Sequence, residues 1–308
     1  MKFGFVVDPH LSQTNPAARV DDYAQAMINK LRALRTMGVQ NQWSGLIITG
    51  DLFHSKNVGF EFLGQASEVL GEMPFPVASI FGNHDLYNDR IESNVRTPLG
   101  YLMRIGLVKS IASLGFPNLV GLDFDRTMSP PEAPNVPGVK VLVCHAFVDD
   151  VPPFGIGNWE FISYGQLESQ GWDIVVAGHD HTPHPILHHS GSQLTVYRPG
   201  SISRGTRHEY NRERDPKALE IEVSDTWELI HVQERIIPAA PASEIFSLLE
   251  IARTEANKRI KEFAESLLLG MTPTKEATDL DRMVESLGIS DSAKAILKRY
   301  LVESGVLG

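Results

Sequence analysis

A single cysteine, Cys144, stands in a chain of 308 residues. One thiol excludes an internal disulfide framework and a Cys-rich zinc site, and nothing in the sequence calls for an oxidising compartment. Long apolar runs are missing too. No stretch approaches the ~20 residues that span a bilayer. Met1-Lys2 leads straight into a short apolar run that ends at Asp8, without the features of a secretion signal. Positive charge is in deficit: 28 Lys and Arg face 38 Asp and Glu, a formal net charge of −10. Proteins that coat nucleic acid without regard to sequence are usually basic. Contact with a polyanion would therefore need a local basic patch or bound cations. There are no repeats and no low-complexity segments. With 42% hydrophobic and 21% charged residues the composition is globular, which excludes a disordered chain and a long coiled coil. These features predict a soluble, cytoplasmic protein with no membrane contact.

The first two-thirds of the chain alternates short apolar runs with amphipathic segments. Phe3 to Val7, Leu46 to Thr49 and Pro76 to Phe81 read as strands, with helices over Asp21 to Met37 and Phe60 to Leu70 between them. That rhythm predicts α/β layers with parallel pairing. Val139 to Cys144 and Ile174 to Ala177 read as later buried strands, and Gln193 to about Glu234 as the antiparallel edge of a sheet. The character changes at Pro238-Ala239-Ala240-Pro241. Beyond it, Ile245, Leu249, Ala252, Ala256, Ile260, Phe263 and Leu267 form one apolar stripe on a helix. Two shorter helices are predicted over 274–287 and 290–303. The division is therefore residues 1–238 and a short helical C-terminal region, 239–308.

Five polar clusters follow or end the apolar runs: Asp8-Pro9-His10, Gly50-Asp51-Leu52-Phe53-His54, Gly82-Asn83-His84-Asp85, Cys144-His145 and Gly178-His179-Asp180-His181. In an open α/β sheet, ligands bind outside the carboxyl ends of the strands, so five such ends can converge on one spot. Asp, Asn and His offer mixed oxygen and imidazole ligands. No thiolate is among them. The set suits borderline first-row divalent ions such as manganese, iron or zinc better than calcium. The ligands are too many for one tetrahedral site. They suit two ions sharing a carboxylate, and such a pair can clamp a phosphoryl group and lower the pKa of a bound water. The chemistry predicted is metal-assisted phosphoester hydrolysis.

The order Asp-x-His, Gly-Asp, Gly-Asn-His-Asp, His, Gly-His-x-His resembles the calcineurin-like metallophosphoesterases. Within them the resemblance is greatest to the SbcD-type DNA-repair nucleases, through Asp8-Pro9-His10-Leu11, Gly50-Asp51-Leu52-Phe53-His54 and Arg198-Pro199-Gly200-Ser201. It covers roughly residues 1–235. The resemblance implies a two-sheet α/β sandwich flanked by helices and a site with two divalent ions, usually manganese. Asp8, His10 and His181 would hold the first ion, Asn83, His145 and His179 the second, and Asp51 would bridge them. His84 would contact the phosphate and protonate the leaving oxygen, Asp85 would orient His84, and His54 would help position the substrate. The implied partners are DNA, an SbcC-like coiled-coil ATPase and a second copy of the chain. The cap domain usual in that subgroup is expected to be absent, reduced or replaced.

Other residues have plainer readings. His184, His188 and His189 read as solvated positions on an edge strand, Asp149 and Asp150 as a solvated loop, and Cys144 as a core filler. The densest basic stretch, with Arg204, Arg207, Arg212 and Arg214, is either a steering patch for a phosphate backbone or a charged hairpin loop. The helical stripe either binds the ATPase or packs on the protein's own core. The function predicted is a manganese-dependent DNA exo- or endonuclease of repair or recombination. Its rivals are a small-molecule phosphodiesterase or phosphatase of the same fold and a non-catalytic scaffold.

Overall fold

A computed structural model describes residues 1–247 apart from 128, 151–160, 189–192 and 207, together with 284, 285, 290, 291, 294, 295 and 298. The chain divides into two compact units, Met1–Ile245 and Phe246–Gly308. In the second, Glu285 pairs with Lys294 at 3.6 Å and with Lys298 at 2.7 Å. Most of the helical stripe (249–267) and of the two predicted helices after it lies outside the described residues, as do Arg207 and His189.

The first unit begins with a β–α–β–α–β run: β1 (Lys2–Val6), α1 (Tyr23–Asn41), β2 (Gly45–Ile48), α2 (Phe60–Gly71) and β3 (Val77–Ser79). Short 3-10 turns lead to α3 (Pro98–Arg104) and β4 (Lys109–Ser110). Then come β5 (Leu119–Leu122), β6 (Val141–His145), α4 (Tyr164–Ser169) and β7 (Ile174–Gly178), followed by β8 (Leu187–His188) and β9 (Thr195–Tyr197). The unit closes with α5 (Glu209–Arg212), β10 (Lys217–Val223), β11 (Leu229–Ile236) and α6 (Ala242–Ile245). One sheet has the order β11-β10-β1-β2-β3-β4 and the other β5-β6-β7-β9-β8. The neighbours from β1 to β4 and from β5 through β7 to β9 are parallel, whereas β10, β11 and β8 run antiparallel to theirs.

Side-chain alternation along the strands builds the layers. Phe3, Phe5 and Ile47 of one sheet and Val141, Val143, Ile174 and Val176 of the other share one buried cluster. Those residues glue sheet to sheet. On the opposite faces Val6, Leu46 and Ile48 pack on Met27, Leu31 and Leu34 of α1 and Phe62 and Val69 of α2. Leu142, Cys144, Val175 and Ala177 pack on Tyr164 and Leu167 of α4. The result is helix, sheet, sheet, helix. Helix starts are capped as their residues dictate: Asp22 accepts from Gln25 N, and Ser163 forms a capping box with Gln166. The strand-like stretch after Gln193 splits between the sheets, since β9 joins β7 in parallel while β10 and β11 extend the first sheet beyond β1. Among the described residues, no helix is long and apolar enough to cross a membrane.

Candidate metal centre

The carboxyl ends of β1, β2, β3, β6 and β7 gather at one end of the sandwich. Asp8, Asp51 and Asn83 follow β1, β2 and β3, His145 ends β6, and His179 and His181 follow β7. The first two loops are knitted together by His10 N donating to Asp51 O, Leu11 N to Leu52 O and His54 N to Leu11 O. Leu52 and Phe53 are fully buried, so the apolar pair inside Gly-Asp-Leu-Phe-His anchors the loop while Asp51 and His54 turn towards the site.

Crowding explains the motif glycines. A Cβ at Gly82 would strike the Asp51 carboxylate. One at Gly178 would stand 2.7 Å from Asp8 Oδ1, and one at Gly50, where φ is +93°, 2.7 Å from His145 Nδ1. Asp8 (φ 44°), His10 (47°), Asp51 (49°) and His179 (85°) all occupy the left-handed region. That region is costly for residues with a side chain and clusters at functional sites.

The donor atoms form two groups that share Asp51. In one, His10 Nε2 lies 2.8 Å from His181 Nε2 and 3.6 Å from Asp51 Oδ2, and His181 Nε2 lies 3.7 Å from Asp8 Oδ2. In the other, His145 Nε2 lies 3.1 Å from Asn83 Oδ1, 3.2 Å from His179 Nδ1 and 3.3 Å from Asp51 Oδ2. Two ligands at ~2.1 Å from one ion stand about 3.0 Å apart at right angles and about 3.4 Å apart in a tetrahedron. The observed spacings bracket those edges. The interior also leaves acceptors open: among the described residues, Asp8 Oδ1, His10 Nδ1 and Thr49 Oγ1 are buried without a hydrogen-bond partner. Two imidazole nitrogens facing each other at 2.8 Å need a proton or a cation between them. The residues fit a pair of divalent ions.

Tautomers are set by the protein. His145 Nδ1 donates to Thr49 O at 2.8 Å, which makes Nε2 the atom that can ligate once an ion displaces its proton. Ser201 Oγ donates to Asp8 O, and Phe147 and Phe124 pack on the His179 ring at 4.5 and 5.5 Å. Burial pushes the Asp8 carboxyl up to about 7 against the pull of His145. Burial would also raise Asp51, but His145, His10 and His84 override it and hold that carboxyl well below the usual range. Burial holds His179 down to about 3 and His181 to about 4, and lowers His10 as well. These three imidazoles are therefore neutral and ready to ligate. For His145 burial is overcome by Asp51 and Asp8, which raise it to about 9.

His84 and His54 sit beside the first group. Their rings stack at 5.0 Å, and the His84 ring lies 4.8 Å from that of His10. His10, His54 and His84 also bring ligand nitrogens within 4.8 Å of one another, so His54 stands closer to ligating geometry than a purely positioning role requires. Burial and the neighbouring His84 lower the His54 pKa. Asp85 does not orient His84, contrary to expectation. Its carboxylate accepts from Gly82 N at 3.0 Å and Phe53 N at 3.4 Å, and it is buried and pushed up to about 8. The His84 ring is held instead by Nδ1 donating to His54 O at 2.7 Å, while His84 N donates to Asp51 Oδ1.

Two members of the arginine patch, Arg204 and Arg214, are not placed to steer a phosphate backbone. Arg204 is buried and donates to Asn211 O at 2.7 Å and Ala240 O at 2.9 Å. Arg214 donates to Pro199 O and Ser201 O. Both guanidinium groups face backbone carbonyls rather than solvent, because this stretch folds back on the loop after β9. Arg212 is half-buried in α5. Asp149 is drawn to Arg198 at 3.1 Å and His184 to Asp180 at 2.7 Å, so neither is merely solvated. Sequence reasoning missed Thr49, Ser201, Phe124 and Phe147. Only Ser201 carried a signal, since it ends Arg198-Pro199-Gly200-Ser201.

The sequence matches the model of the calcineurin-like phosphoesterase family over residues 1–195. The chain belongs to that family. As a member of the calcineurin-like phosphoesterases, it is a metal-dependent phosphoester hydrolase. Comparison with curated proteins finds no match. Among solved structures, the chain is similar to a protein of Thermus thermophilus, at 11% identity and a TM-score of 0.44, covering 77% of this chain and 99% of that one. It is similar also to a dimetal phosphatase from Danio rerio, at 12% identity and a TM-score of 0.48, with the same coverage, 77% and 99%.

Proposed function

We propose that this calcineurin-like phosphoesterase is a manganese-dependent DNA exo- or endonuclease of repair or recombination, acting with an SbcC-like ATPase. The observation that carries the phosphodiester chemistry is the Asp51 carboxylate between two groups of imidazole, amide and carboxylate donors, 3.6 Å from His10 Nε2 and 3.3 Å from His145 Nε2. Asp8, His10 and His181 would hold one ion, Asn83, His145 and His179 the other, and Asp51 both. Bound there, the ions supply an acidified water and a positive clamp on the phosphoryl oxygens. His84 keeps Nδ1–H on the His54 carbonyl, so in its doubly protonated form Nε2–H would be the group that gives its proton to the departing oxygen, leaving the neutral Nδ1–H imidazole.

The choice of DNA is supported by Gly50-Asp51-Leu52-Phe53-His54 and Arg198-Pro199-Gly200-Ser201, and by the openness of the site. His54 is exposed, and the His181 side chain keeps 36% of its surface accessible. A polymer can reach such a site from the side. The implied homodimer would find an apolar face across α2, α3 and the 3-10 turn before α3, where Phe60 is 93% exposed, Tyr101 45% and Val95 60%. The ATPase would dock on residues 245–267, which lie outside the described residues beyond 247. The rival is a small-molecule phosphodiesterase of the same fold. Metal-stripped protein reloaded with manganese is given end-labelled duplex DNA, single-stranded DNA and a small chromogenic phosphodiester. Degradation of DNA supports the nuclease. Cleavage of the small ester alone transfers the site to the rival.

A further inference from the structure

Past Leu86 the chain enters a tight polar loop directly outside the site. Asn88 and Asp89 follow one another with φ of 51° and 56°, a strained pair that persists only where the surroundings hold it. They do. Tyr87 N donates to Ser93 Oγ at 2.8 Å, and buried Ser93 donates in turn to Arg90 O at 2.6 Å. Arg126, from the loop after β5, grips Asp89 Oδ2 at 2.6 and 3.0 Å. Tyr87 Oη reaches Asn57 Oδ1 at 3.4 Å, three residues from His54, whose ring stacks on His84. The loop is fixed to the same framework as the leaving-group side of the metal centre.

This loop forms an open polar cleft of about 500 Å³ lined by Tyr87, Asn88, Arg90, Glu92, Ser93 and Arg96. Among the described residues, the Arg90 and Arg96 guanidinium groups make no hydrogen bond or ion pair. That sets them apart from Arg204 and Arg214, which are tied to carbonyls. Both side chains are exposed, and a free guanidinium fork can take a phosphate bidentately; Glu92 offsets only one of the two. Tyr87 is 37% exposed and offers a face on which a base can stack. A monophosphate held at the metal centre would leave this cleft empty. Tyr87 follows His84 by three residues, so a strand whose scissile phosphate lies beside His84 would bring a neighbouring phosphate and base towards this cleft.

We infer that Tyr87, Arg90 and Arg96 form a subsite for the phosphate and base that flank the scissile phosphate of a polynucleotide. The inference rests on the placement of the scissile phosphate beside His84. Two kinds of variant test it, in the full-length protein, by fluorescence anisotropy with a short labelled single-stranded oligonucleotide across a salt series and by turnover. In R90A/R96A the affinity falls by about tenfold or more. The slope of log affinity against log salt flattens by about 0.7 for each phosphate that is no longer neutralised. The ratio of oligonucleotide to small-diester kcat/KM falls in step. Glu92→Gln shifts affinity the other way, tightening binding about two- to threefold. Wild-type affinity and salt slope in R90A/R96A, or equal losses on both substrates, overturn the subsite. An oligonucleotide bound through Arg90 and Arg96 but left uncut keeps the subsite and sinks the nuclease. One neither bound nor cut overturns both.

Discussion

His84 Nδ1 donates to the backbone carbonyl of His54 at 2.7 Å. This fixes the tautomer without a carboxylate, and the partner is main chain, which no side-chain substitution at 54 removes. His84→Ala should leave metal content near that of the wild type and lower kcat by about 10²–10⁴-fold. The check is metal analysis beside turnover of the small diester. A variant that loses its ions, or keeps full turnover, refutes the role given to His84.

Asp51 holds both donor groups together, so Asp51→Asn should weaken both centres at once. The expected loss of affinity is more than about 100-fold, beyond what outer-shell changes cost. Metal titration followed by calorimetry decides this. Loss of one ion with the other kept would place the shared ligand elsewhere.

Protons and ions compete for the same atoms, and the direction is fixed. Asp8, Asp85 and His145 hold their protons up to about 7, 8 and 9 in the folded metal-free protein. Unfolded, the two acids release theirs near 3.8 and the histidine near 6.5. Between pH 7 and pH 9 the metal-free fold therefore binds more protons than the unfolded chain, and its stability falls as pH rises. Asp85 adds to this fall and Lys30, lowered well below its usual value by burial, opposes it, but both act equally with and without metal because neither is a ligand; Asp8 and His145 carry the difference. The gap in Tm between manganese-loaded and metal-free protein should thus widen from pH 7 to pH 9. A gap that stays constant or narrows contradicts the assignment.

Far from the site, Glu220 binds three donors: Trp43 Nε1 at 2.6 Å and Arg235 twice at 2.7 Å. The residue is 2% exposed. Glu220→Ala strands a buried indole N–H and a guanidinium, at a cost of about 2–4 kcal/mol, or roughly 5–10 °C in Tm. Glu220→Gln should lose less, since one acceptor remains for Trp43. Thermal unfolding of both variants checks the order.

If α2 and α3 form the homodimer face, Phe60→Glu with Tyr101→Glu should give a monomer by sedimentation equilibrium while the small diester is still cleaved. A wild-type chain that is already monomeric at about 50 μM removes the dimer from the proposal.

Much of this was legible in the sequence. Residues such as Asp51 and His145 announce themselves because a polar cluster at the end of a buried apolar run has few reasons to exist, and both lie where such runs end. The exchange of β9 and β10 between sheets was not legible: three residues, Thr195–Tyr197, alternate too briefly to show which layer they join. Nor was the direction of the arginines. Arg204 and Arg214 form the densest cationic stretch, yet fold onto carbonyls. Arg90 and Arg96 are scattered among acids and apolar residues in 3-10 turns, yet stand free. Composition counts charge; only backbone geometry says where it points. Asp85 misled for a similar reason, since its adjacency to His84 in sequence puts the two side chains on different faces of one short turn.

The left-handed backbone at Asp8, His10, Asp51 and His179 limits how this chain can drift. At such positions asparagine, aspartate, histidine and glycine are the side chains that sit with least strain. A β-branched replacement would be rejected by the main chain before its chemistry were tried. Substitution there is thus filtered twice, by conformation and by charge. The residues that pass the first filter are largely good metal ligands, so random change at these sites is biased towards keeping donors and exchanging one ion preference for another, rather than towards losing the centre outright.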